Sequence, residues 1–174
     1  MRDPGCKQTA AWYGLPETEK EKKMKIIKLK SAILSQLAKA AAENDGAIKI
    51  CNEPYMPLSC ELIGETEVSG QSLQCFSMCH YGEQNGDLMR DPDVCFFIQK
   101  DGENEYFIPY EFQYDYAGEY TCAFKDQKWQ TREQRDIAEF CQIWIKNLKK
   151  QGYIDQLNPD YVQAVKDFEK EPTA

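Results

Sequence analysis

From Tyr106 to Phe124 the even positions read Tyr106, Ile108, Tyr110, Phe112, Tyr114, Tyr116, Tyr120, Cys122 and Phe124, while the odd ones include Glu105, Glu111, Gln113, Asp115 and Glu119. Successive strand residues point to opposite sides of a sheet, so this period of two predicts one aromatic face and one acidic face. The same period starts at Ala47. Turn residues divide it into AIKIC, LSCELIG, QSLQCFSMCHY, DVCFFIQK, EYFIPYEF and GEYTCAF, an antiparallel meander of about six strands.

Helical spacing brackets the meander. Met24, Ile27, Ile33, Leu34, Leu37, Ala38 and Ala41 recur at helical steps and predict an N-terminal helix, which Gly46 ends in a left-handed conformation. After the strands, Thr131 and Gln134 read as a capping box. Ile137, Phe140, Cys141, Trp144, Ile145 and Leu148 form one stripe, and Gly152 stops it. Asn158-Pro159 opens a second C-terminal helix carrying Tyr161, Val165 and Phe168. The order predicts an α+β domain over 17–174 whose helices pack on the aromatic sheet face, behind a flexible tail at 1–16. Met24, after EKEKK, reads as an alternative start.

A chain of 174 residues buries enough surface to fold without staples, so its eight cysteines are expected to be reduced and mostly buried. MRDPGCKQTA lacks an apolar export segment, and no run approaches the ~18 apolar residues of a membrane span. A cytoplasmic protein is expected. Its net charge of -8 is concentrated: residues 51–128 hold 15 Asp and Glu against 4 Lys and Arg. Such a segment repels phosphate, which argues against direct nucleic-acid binding, and attracts a basic protein surface.

The stretch Cys79 to Asp93, CHYGEQNGDLMRDPD, holds the single histidine and most of the candidate chemistry. Cys75, Cys79 and His80 have loose zinc spacing, but on a strand the two cysteines sit about 13 Å apart and His80 faces the other way. A Cys79–His80 catalytic pair fails for the same reason. Pro92-Asp93 followed by a strand ending in Lys100 suggests a metal-dependent nuclease, although Ile98 stands where the second acid belongs. Glu83, Asp87, Asp91 and Asp93 lack the spacing of a calcium loop. The enzyme reading that survives is a metal-dependent hydrolase centred on His80, Glu83, Asp87 and Asp93. No cofactor or resident metal is expected. The competing reading is a hairpin turned by Asn85-Gly86, with Asp91-Pro92 as a second bend.

HYGEQNGDLMRDPDVCFFI also resembles the signature of an uncharacterised bacterial domain family of conjugative elements, plasmids and phage, commonly His-Tyr-Tyr-Glu-Gln-Asn-Gly-Asp-Leu-Met-x-Asp-Pro. The resemblance extends through PYMPLSCELIG, PYEFQYDYAGEY and EFCQIWIKNLKKQGY, or roughly 24–153, with Gly82 in place of the usual second tyrosine. It implies a genomic setting and carries no catalytic activity with it. Setting and charge together lead us to expect a non-enzymatic accessory protein of a mobile element that binds a host macromolecule. One form is an anti-CRISPR-like inhibitor occupying the basic surface of a host-defence nuclease. The expected contact residues are Tyr81, Glu83, Asp87, Leu88, Met89, Arg90, Asp91, Glu111, Asp115 and Glu119.

Overall fold

The computed structural model describes residues 25–157. Six strands form one antiparallel sheet in chain order: β1 Ala47–Asn52, β2 Tyr55–Val68, β3 Gln71–Gln84, β4 Asp87–Asp101, β5 Asn104–Tyr114 and β6 Glu119–Cys122. A small hairpin of β7 Phe124–Lys125 and β8 Lys128–Trp129 follows. Two helices, α1 Ala32–Glu43 and α2 Thr131–Gln151, contribute to the main core on one sheet face, so the fold is α+β as expected. The expected tail, the Met24 start and the helix from Asn158 lie outside the described residues.

The period-two segments supply the inner face of the main core. Ile48, Ile50, Leu58, Cys60, Phe76, Met78, Val94, Phe96 and Phe107 meet Leu34, Leu37 and Ala41 of α1 and Ile137, Cys141, Trp144 and Leu148 of α2. Phe76, Phe96 and Phe107 make a tilted and edge-on trio with ring centroids 6.0 to 6.3 Å apart. Gly46 (φ 92°) and Gly152 (φ 84°) end the helical segments as their left-handed geometry predicts.

The expected N-terminal helix is corrected at its start. Ser31 caps α1 by accepting the Leu34 N–H, and the preceding residues run beside β5, where Leu29 and Phe107 exchange two backbone hydrogen bonds of 2.8 and 2.9 Å. The capping box is also corrected. Gln130 holds the N-cap position of α2, and the Gln134 amide turns inward to the Ile27 backbone.

A third correction concerns the sheet faces. Cys95 pairs with Glu111 and Phe96 with Pro109, which leaves Tyr110 as an extra residue on β5. This bulge reverses the parity of the strand, so the even-numbered aromatics do not share a face. Phe112 joins the helix-side core, whereas Ile108 and Tyr110 point the other way. There Tyr110 stacks on Phe97 at 3.9 Å and 7°, and Phe97, Val68, Leu73, Cys75 and Ile108 form a second apolar cluster. Ile26, Phe124 and Trp129 cover it. The helices therefore pack along one sheet face, while the small hairpin covers only part of the other.

The β3–β4 connection is the expected tight hairpin, with Asn85 at φ 55° and Gly86 at φ 87° between Gln84 and Asp87. A β-carbon on Gly86 would meet no atom within 4 Å, so its requirement is conformational. Gly86→Val is expected to lower unfolding free energy by about 1 kcal/mol or more, measured by urea denaturation. An unmoved transition would show that the turn tolerates a β-branched residue.

Candidate functional site

Where the hairpin cover stops, the second sheet face is open and its side chains follow from strand pairing. Cys79 lies opposite Asp93, and Asp93 opposite Gln113; in the next row Glu61 faces Ser77, Ser77 faces Cys95, and Cys95 faces Glu111. Glu111 in turn pairs with Cys122 of β6. Two adjacent rows thus mix carboxylates, thiols and hydroxyls on a face that neither the helices nor the small hairpin covers, with the Cys79 and Cys95 side chains buried among their neighbours.

Beside these rows, β4 gains a residue on β3: Cys79 pairs with Asp93 but Tyr81 with Arg90, leaving Asp91 and Pro92 across from His80. The irregularity aims Arg90 along the open face. Its guanidinium lies 3.6 Å from Asp93 through Nε and 3.6 Å from Asp115 through Nη1. Ser77 donates its hydroxyl to Asp93 at 2.8 Å, and Tyr120 donates to Glu111 at 3.3 Å.

Burial shifts the titration of the groups on this face. It pushes the Asp93 carboxyl above its usual range despite the Ser77 hydrogen bond and Arg90, and it pushes Glu111 up despite Tyr120. The same effect, with Asp93 adding, raises the Cys79 thiol to about 12, and Cys95 also rises. These thiols are therefore protonated near neutral pH and lack nucleophilic thiolate character. Of the described cysteines, Cys60, Cys75, Cys79, Cys95 and Cys141 are buried and Cys51 and Cys122 half-buried. Thiol titration is expected to find few reactive groups in the native chain and eight after denaturation. Rapid native reaction of Cys79 or Cys95 would contradict the burial argument.

The structure distributes the expected residues unevenly. Tyr81, Arg90, Asp93 and Glu111 meet on the open face, and Glu83, Asp87 and Leu88 project at the β3–β4 tip, with Leu88 72% exposed. Met89 and Asp91 are half-buried. Asp115 is a clasp: it accepts the Arg90 N–H and the Gln113 side-chain N–H, each at 2.8 Å, and the backbone bond holds its carboxyl below the usual range. Glu105 pairs with Lys100 near the β4–β5 turn, and Glu119 lies beside α2. Glu111 and Asp115 accordingly lie around the Arg90–Asp93 pair, whereas Glu105 and Glu119 lie apart from them.

The catalytic set does not converge either. His80 faces the helices, with its ring 5.5 Å from both Trp144 and Tyr153 and Nδ1 3.0 Å from the Pro57 carbonyl oxygen, while Asp93 faces the opposite side of the sheet. Among the described residues, no three or more His, Cys, Asp or Glu side chains form a metal-binding group. No described helix is long and apolar enough to cross a membrane.

Parity could have identified Ser77, Cys79, Cys95 and Glu61, which share the open face, but a cysteine in a strand reads first as core. Gly82 has a local explanation. The Tyr116 phenol lies where a Gly82 side chain would begin and donates to the Glu83 carbonyl at 3.5 Å.

Comparison with known proteins gives no match among curated proteins or solved structures. A family profile does match residues 28–154, spanning α1, the whole sheet and α2. The chain belongs to the DUF6908 family, a domain of unknown function.

Proposed function

We propose that the protein acts by binding: the uncovered part of its sheet and the β3–β4 tip receive a partner protein with a basic surface. The observation that carries this reading is the pair of half-buried carboxylates, Asp93 and Glu111, on an open face within a segment of 15 acids and 4 bases. Burial disfavours their charged forms, and an incoming cation would offset that cost. Glu61, Glu83 and Asp87 extend the negative surface, and Leu88 adds an apolar contact. The thiols beside the acids are protonated, which favours recognition over nucleophilic chemistry.

The resemblance to proteins of mobile elements supplies the setting. In it, a non-enzymatic accessory protein that occupies the basic surface of a host-defence nuclease, in the manner of an anti-CRISPR inhibitor, fits the charge. The same acidity disfavours direct nucleic-acid binding.

The test is affinity capture from extracts of the natural host at rising salt, using wild type and a Glu61→Lys, Glu83→Lys and Asp87→Lys triple variant. These exposed sites should each change stability by about 0.5 kcal/mol or less. Capture is expected to weaken with salt and to disappear in the variant. Persistent capture by the variant, with loss on Leu88→Ala, would place the contact at the apolar tip instead. Metal-dependent turnover abolished by Asp93→Asn would replace binding with hydrolysis.

A further inference from the structure

On the helix side of the sheet, Glu133, Asp136, Ile137 and Phe140 are spaced three and four apart along α2 and share one stripe. The stripe runs beside Phe112 of β5 and Glu119 and Thr121 of β6, and the two sides bound an open cleft of about 250 Å³. Its floor is apolar. The Phe112 and Phe140 rings meet edge to face at 5.2 Å and 72°, with Ile137 beside them.

The rim carries three carboxylates and no base: Glu119, Glu133 and Asp136. Among the described residues none of the three makes an ion pair, although Arg132 and Arg135 lie on the same helix. Glu133 has a local reason for its place, since an acid in the first turn complements the helix dipole. Glu119 comes from a different element, so no helix-terminal rule explains its arrival at the same cleft.

We propose that this cleft receives the side chain of one arginine from a partner protein. A guanidinium is planar and weakly hydrated, so it can lie against a phenyl ring while its N–H fork meets carboxylates at the rim. A lysine ammonium is compact and strongly hydrated, and matches an aromatic floor less well. Charge and shape thus select the same group. The cleft is separate from the open sheet face, and its occupancy does not depend on the function proposed for that face.

The experiment uses the full chain with labelled isoleucine methyls and backbone amides. It is titrated with three otherwise identical peptides carrying arginine, lysine or citrulline at the centre. The arginine peptide is expected to shift the Ile137 methyl and Thr121 amide saturably and to bind more tightly than the others. The double variant Glu119→Gln and Asp136→Asn should weaken it by about tenfold or more, because charge-assisted hydrogen bonds are lost. A charge-matched control, Asp101→Asn with Glu103→Gln, should bind as wild type, and melting curves establish that both variants fold. Equal binding of citrulline, equal or tighter binding of lysine, shifts spread over the acidic surface, wild-type affinity in the cleft variant, or no saturable shift would each overturn the proposal.

Discussion

His80→Ala is expected to lower unfolding free energy by about 2–4 kcal/mol at neutral pH, the scale of a buried large-to-small change, while partner capture survives. The imidazole is 7% exposed and fills the space between Trp144 and Tyr153. Truncation leaves a cavity and removes the hydrogen-bond partner of the Pro57 carbonyl. The variant should also change the pH dependence. Burial holds the His80 pKa below its ordinary value of 6.5, so the unfolded chain takes up that proton at higher pH than the native chain. The stability associated with neutral His80 is full above the unfolded value and is lost as pH falls from there through the folded pKa. Asp93 and Glu111 act with the opposite sign. Their raised folded values mean that the native chain binds protons first and gains stability as pH falls through them. Urea unfolding between about pH 8 and pH 5.5 should therefore show a destabilising acid limb in wild type that His80→Ala lacks. A variant that unfolds with wild type yet loses a measurable activity would return His80 to a catalytic role.

The strand pattern and the hairpin around Asn85-Gly86 were legible because both follow from local geometry: a period of two, and consecutive residues that tolerate positive φ. The β5 bulge was not. Pro109 is a local hint, since proline inside a sheet is confined to edges, strand starts and bulges, but the extra residue itself is visible only when Cys95 and Phe96 choose partners across the strand gap. Ile27 reads as helical for a related reason, since a short apolar spacing serves a helix or an edge segment alike and only the pairing of Leu29 with Phe107 decides. Parity separated His80 from Cys79 and Asp93 from the helix-side core, so part of the open face could be anticipated. It could not show that the Asp115 carboxylate is engaged by Arg90 and Gln113, or that Glu119 leaves the acidic rows for the cleft beside α2.

Gln134→Leu is expected to cost about 2–4 kcal/mol, because leaving buried polar groups unsatisfied costs about 1–3 kcal/mol each. The reason begins at Pro109. Leu29 pairs with Phe107 in antiparallel fashion, and two residues along each chain that register reaches Ile27 and Pro109. Proline has no N–H, so the backbone alone cannot complete this pair. The Gln134 side chain inserts its own amide: Oε1 accepts the Ile27 N–H at 2.9 Å, and Nε2 donates to the Ile27 carbonyl at 2.9 Å and the Pro109 carbonyl at 3.4 Å. The side chain is fully buried, and leucine would fill similar space without satisfying any of these groups. Loss should concentrate where the bonds are, so the Ile27 and Leu29 amides should exchange faster by a larger factor than the amides at the centre of β4. Release of this segment would also lift Ile26 from the cluster around Phe97 and enlarge the open sheet face, which ties the first turn of α2 to the extent of the proposed contact surface. Uniformly accelerated exchange across the sheet would show global destabilisation without local release, and unchanged exchange at Ile27 would show that the amide is dispensable there.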